Sequence, residues 1–133
     1  MRNMSFALTT DQVINGDKDV TRRLGWLTLS PGVLIRPVKK CMGLKKGEKP
    51  FPLRDPVRVV SVRREPLRKM IDDPEYGIAE CAREGFGNHP VYGLPAGFVA
   101  MFCATHRGCT PETMITRIEF SYSPGAGTPA PAR

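Results

Sequence analysis

The sequence predicts an α+β domain, built as a barrel of five or six strands flanked by helices. Three observations predict it. Strand-type alternation surrounds Phe6, Val59 and Ile118. Helical segments with recognisable starts and stops are interspersed with those strands. The connections are irregular in length, which argues against a doubly wound parallel sheet.

Ser5-Phe6-Ala7-Leu8 alternates polar and apolar and reads as a short strand. A helix follows, with Thr9 or Thr10 as its cap, Asp11 at its positive end, and Val13 and Ile14 as its apolar stripe. Gly16 is a natural residue to end it, and Asp17 to Arg23 leaves it as extended chain. Ser30-Pro31-Gly32 is a turn, and Val33 to Val38 is a strand whose Pro37 suits an edge or a bulge. Lys39 to Pro56, rich in Lys, Gly and Pro, reads as a long surface loop. The β-branched run of Val57, Val59, Val60 and Val62 predicts a strand buried on both faces. Glu65-Pro66 opens a helical turn through Leu67, Met70 and Ile71.

Asp73-Pro74 has the pattern of an N-cap and first helical residue, and the helix it starts runs to Glu84-Gly85-Phe86. Pro95 to Arg107 is the most apolar helix, with Phe98, Met101 and Phe102 on one face and Gly108 as its stop. In the last strand Met114, Thr116, Ile118, Phe120 and Tyr122 share a face, and Arg117, Glu119 and Ser121 point the other way. The domain therefore spans residues 1–122. The Pro/Gly/Ala-rich segment 123–133 has little to bury and is expected to be a disordered tail.

The 133 residues fit one domain, and 41% apolar with 25% charged residues is an ordinary globular composition. No run approaches the roughly 18 apolar residues of a membrane span. Residues 1–8 lack an apolar signal-type core, so the expected compartment is the cytoplasm. There Cys41, Cys81, Cys103 and Cys109 are expected as reduced thiols. The net charge of +7 favours polyanionic partners.

The chemistry concentrates in Gly16-Asp17-Lys18-Asp19-Val20-Thr21-Arg22-Arg23. Alternation puts Thr21 and Arg23 on one face of an extended segment, and Lys18, just past the helix stop, can fold over that face. Two neighbouring arginines and partial burial lower the pKa of Lys18, and a neutral amine can serve as general base or nucleophile. The plainer alternative is a solvated basic strand end.

The pattern Gly-x-Lys-x-x-Thr-x-Arg after a short capped helix resembles the signature of the ASCH family. So do Glu84-Gly85-Phe86 and the final helix followed by an aromatic strand. The resemblance covers residues 4–122 and implies a PUA-like mixed β-barrel. It also implies an RNA-directed or nucleoside-directed function. Small bacterial members are amidohydrolases of N4-acetylcytidine that use a Lys, a Thr and a Glu, and other members are ribonucleases or RNA-binding modules. Carried over by motif, the catalytic residues are Lys18, Thr21 and Glu84, with Arg23 as the motif arginine. The Lys39–Pro56 loop and Trp26 lie outside the pattern of the minimal amidohydrolases.

Arg22, Arg23 and Trp26 are the expected substrate contacts, and Lys39, Lys40, Lys45 and Lys46 the expected nucleic-acid contacts, with Lys49 beside them. Trp26 and Tyr92 could stack on a base or simply pack. Cys103-x-x-His106-x-x-Cys109 has metal-type residues but lacks a fourth ligand. It reads as a half-buried Cys and a surface His, so no metal and no cofactor are expected. Cys41 and Cys81 read as inert small residues, and Glu65 as a local cap or arginine partner. Two functions of different class follow: an amidohydrolase of an N4-acylated cytidine, or a non-catalytic RNA-binding module. A ribonuclease using the same cleft lies between them. The expected partner is RNA or a modified nucleoside, with no membrane and no obligate protein partner.

Overall fold

A computed structural model describes residues 1–122 of the chain. The expected tail, 123–133, lies outside the described residues. The order of elements is β1 (Arg2–Ser5), α1 (Thr10–Asn15), β2 (Val20–Arg23), β3 (Leu34–Val38), β4 (Val57–Pro66), α2 (Lys69–Asp72), α3 (Pro74–Cys81), α4 (Pro95–Thr105) and β5 (Met114–Ser121). A π-helical turn, Ala82–Phe86, continues α3.

The strands form one mixed sheet in the order β1-β3-β4-β5-β2. Only β1 and β3 run parallel; the other pairs are antiparallel. The fold is α+β as expected, but the sheet does not close into a barrel: β1 and β2 remain its two edges. Closure would need hydrogen bonds between β1 and β2, and alternation within a strand does not report which strands pair.

Two apolar cores sit on opposite faces of β5. Ile118 and Phe120 join Met4, Phe6, Val13, Ile35, Val57 and Val59 in one. Ile115 joins Leu67, Met70, Phe86, Phe98 and Phe102 in the other, beneath α2–α4. Successive residues of a strand point to opposite faces, so β5, lying between β4 and β2, feeds both cores.

Several sequence expectations shift. The first strand is Arg2–Ser5 and stops where the expected Ser5–Leu8 strand begins, because Thr9 N–H bonds back to the Phe6 carbonyl and turns the chain. Val60 is exposed, so β4 is not buried on both faces; its register shifts between Val59 and Ser61. β4 also runs on to Pro66, through the expected helix start. Pro37 lies inside the sheet order, at a place where β3–β4 pairing has already ended at Ile35. There its carbonyl accepts from Leu53 N–H instead. Arg117 faces away from Ile118 and Phe120 as expected, but that face is covered by α3 and Arg117 is buried there. α4 departs from its expected bounds: it ends at Thr105 with His106 extended beyond it, so the left-handed Gly108 (φ 78°) lies in the following turn and is not the helix stop.

Other expectations hold. Gly16 closes α1 with φ 79°, and the Asp73 side chain accepts from Tyr76 N–H at the start of α3. Residues 39–56 are irregular apart from the Val38–Pro52 bridge.

Candidate functional site

The C-terminal end of α1 sets the site. With Gly16 left-handed, Asp17 N–H and Lys18 N–H both bond the Gln12 carbonyl, at 2.8 and 3.3 Å. This tight turn delivers Lys18 inward just before β2, and the Tyr122 hydroxyl donates to the Lys18 carbonyl. Lys18 is only 2% exposed.

The partner surface comes from the π-helical turn. Inside it Gly85 has φ 100° and breaks the helical path. A Cβ there would stand 2.8 Å from Gln12 Cγ and 2.9 Å from its Cβ, so the turn and α1 approach closely only because the residue is glycine. The break frees the Glu84 carbonyl. Lys18 Nζ donates to it at 2.9 Å and to Glu84 Oε1 at 2.6 Å. Arg83 fastens the same turn to the Lys18 segment: its guanidinium binds both Asp19 carboxylate oxygens and Glu119, and its carbonyl accepts from Asp19 N–H.

Beneath Glu84 lies a buried charge network. Arg22 Nη1 reaches Glu84 Oε2 at 3.2 Å, while Nη2 bonds Glu80 Oε1 at 2.6 Å, Glu65 Oε2 at 3.2 Å and the Tyr76 hydroxyl. Arg117 completes a two-pronged bond to Glu80 at 2.5 and 3.0 Å. Three buried cations, Lys18, Arg22 and Arg117, thus face three buried carboxylates, Glu65, Glu80 and Glu84. Ions taken out of water are tolerated when paired and hydrogen-bonded. One atom stays orphaned: Arg22 Nε is buried without a partner.

Burial pushes the Lys18 pKa below its usual value. The Glu84 carboxylate opposes this without cancelling it, and Arg23 and Arg22 add smaller downward pushes. The direction matches the sequence expectation, but burial ranks above the two arginines as its cause. Burial also acts against charge on Glu80, yet Arg117 and Arg22 outweigh it and hold that carboxyl at about 2.

Lys18, Thr21, Arg23 and Glu84 open onto one cleft of about 290 Å³. Its apolar wall is Phe6, Phe86, Met101 and Phe102, with Thr105 and His106 at the end of α4. Arg23 Nε donates to Thr21 Oγ1 at 3.0 Å, and its guanidinium lies over the Phe6 ring, 4.8 Å from the centroid. Burial lowers the Arg23 pKa to about 10. Arg23 makes no ion pair among the described residues, so it is the cleft's uncommitted cation.

The structure brings together Lys18, Thr21, Glu84 and Arg23 from the sequence-derived set. Arg22, expected to contact substrate, contributes to the lining, but its guanidinium is fully enclosed by carboxylates and Tyr76. Trp26 is not among the cleft residues. It packs against the first core with Arg2 stacked on its ring at 3.9 Å, and its φ of 54° marks a strained turn. Tyr92 stacks on His89 and packs edge-on to Phe86. Lys39, Lys40, Lys45 and Lys46 are exposed on the long loop, and none lines the cleft.

Sequence reasoning missed His106, read as a surface residue. Its ring stacks on Phe102 at 3.9 Å and its Nδ1 lies 2.8 Å from the Phe102 carbonyl, which makes that nitrogen the donor. The i, i+4 spacing from Phe102 was the available signal. Among the described residues no cluster of three His, Cys, Asp or Glu side chains is suited to hold a metal, and no helix is long and apolar enough to cross a membrane. No protein-family model, curated protein or solved structure matches the chain.

Proposed function

We propose that the protein is an ASCH-type, PUA-like amidohydrolase that removes the acyl group from an N4-acylated cytidine. The observation that carries this reading is the buried Lys18–Glu84 contact of 2.6 Å at the floor of a cleft that Thr21 and Arg23 also line. An amine whose proton is destabilised by burial is suited to take a proton, as a surface lysine is not.

In this reading neutral Lys18 takes the proton of the nucleophile, either the Thr21 hydroxyl or a water held beside it. The nucleophile's oxygen bonds to the amide carbon. The carbonyl oxygen becomes an oxyanion, which Arg23 stabilises; such stabilisation is commonly the largest catalytic contribution. As the C–N bond breaks, the proton passes from Lys18 through Glu84 to the departing cytosine amine. With Thr21 as nucleophile, a water then releases the acyl group by the same steps. The aromatic wall of Phe6, Phe86 and Phe102 suits a flat base. Incubation with N4-acetylcytidine tests the reading: cytidine and acetate are the expected products, and their absence with correctly folded protein contradicts it.

A second reading, an RNA-binding module with the cleft on a base and the loop on phosphates, draws support from the exposed Lys39, Lys40, Lys45 and Lys46 of the long loop. Against it, none of these lysines lines the cleft. If the loop holds RNA, replacing Lys45 and Lys46 flattens the dependence of affinity on salt and leaves nucleoside turnover intact. An unchanged slope removes the loop from the account.

A further inference from the structure

The Cys103-x-x-His106-x-x-Cys109 segment is not absorbed by the proposed chemistry. Its geometry separates the three residues. His106 turns its Nδ1 to the Phe102 carbonyl and its face to the Phe102 ring. The two sulfurs turn toward each other: Cys103 Sγ and Cys109 Sγ lie 3.8 Å apart, with Cys103 near the end of α4 and Cys109 one residue past the left-handed Gly108. A hydrogen bond from Cys109 N–H to the His106 carbonyl, 3.0 Å, folds the segment back to make this approach. Both thiols are half-buried, so small reagents can reach them.

We propose that Cys103 and Cys109 form a reversible dithiol–disulfide site that reacts with low-molecular-weight disulfides and whose oxidation tightens the rim of the cleft. A Cys109 thiolate attacks one sulfur of the small disulfide and expels one small thiol. Cys103 then attacks the Cys109 sulfur of the mixed disulfide and expels the second. Two protein sulfurs are oxidised, one small disulfide is reduced to two thiols, and the two protein thiol protons leave with them. Burial and the neighbouring thiol push the Cys103 pKa up, in keeping with its place as the second, resolving sulfur.

A disulfide requires the sulfurs to close to about 2.05 Å, and in this proposal the segment between them contracts as they do. That segment contains Thr105 and His106, which line the cleft. The coupling does not depend on what the cleft binds.

The other cysteines give internal controls. Cys41 is exposed and will take adducts, whereas Cys81 is fully buried and its thiol is pushed up to about 11. The test uses the full chain with Cys41→Ser, treated with oxidised glutathione and followed by intact mass, peptide mapping and backbone amide NMR. The expected result is a mass loss of about 2 Da, a Cys103–Cys109 linkage, reversal by reductant, and displaced Thr105 and His106 amide signals. Adding Cys103→Ser should leave a stable glutathione adduct on Cys109. An unchanged mass, a persistent adduct on either cysteine in the Cys41→Ser chain, or a linkage to Cys81 would overturn the proposal. A correct linkage with unmoved Thr105 and His106 signals would overturn its coupling to the cleft.

Discussion

Lys18 Nζ stands 2.6 Å from Glu84 Oε1 and 2.9 Å from the carbonyl oxygen of the same residue, with both side chains almost wholly buried. One residue thus presents two acceptors to one amine across 66 positions of sequence. This contact ties the turn after α1 to the π-helical turn after α3.

The first prediction concerns pH. Burial lowers the Lys18 pKa, so the protonated form gives way to the free amine at a pH below the ordinary lysine value of 10.5. If the free amine is the base, turnover of N4-acetylcytidine rises with pH along a limb whose midpoint lies below 10.5. A profile that is flat through this range, in protein that stays folded, removes the free amine from the mechanism.

The second concerns the network under the site. Glu80 answers both Arg22 and Arg117, so Glu80→Gln leaves two buried guanidiniums short of a counter-charge. The expected loss is on the order of 3–5 kcal/mol in denaturant unfolding. The pH dependence follows from the depressed carboxyl. Folded Glu80 titrates near 2 against an ordinary 4.5, so its stabilisation is complete above 4.5 and is lost as pH falls from 4.5 toward 2. Glu80→Gln should therefore flatten the stability curve in that window. Equal acid sensitivity in both proteins would show that Glu80 is not the group responsible.

The third isolates backbone geometry. Gly85→Ala adds a Cβ against the Gln12 side chain at a φ of 100°. The expected cost is on the order of 1–3 kcal/mol, the usual size of local backbone strain. Turnover should fall as the Glu84 carbonyl moves from Lys18. Pairing it with Gln12→Ala, which removes the Gln12 Cγ the new Cβ would meet, should recover part of the stability. No recovery would leave strain at φ, or the contact with the Cβ that residue 12 retains, as the cause.

The legibility of the chain follows how local each signal is. Gly16 and Asp73-Pro74 act within a few residues, and the structure uses them as read. Lys18, Thr21, Glu84 and Arg23 could be named because the motif has a fixed order, and all four line one cleft. The role of Arg22 was hidden because its partners come from β4, α3 and the π-helical turn. The partner of Arg117 was hidden for a related reason. Alternation correctly separates it from Ile118, but nothing near it in sequence says that Glu80 of α3 covers that face. Sheet closure likewise depends on which strands meet, whereas Cys103 and Cys109 are brought together by the local turn from His106 to Cys109.

The most direct measurement is Lys18→Arg, assayed in parallel for N4-acetylcytidine turnover and for cytidine binding. Arginine keeps the positive charge and the hydrogen bonding but cannot lose its proton near neutral pH. With Lys18 as base, turnover should fall by about two orders of magnitude or more while binding weakens little. Retained turnover, in a variant whose fold is verified by circular dichroism, would contradict the role assigned to Lys18.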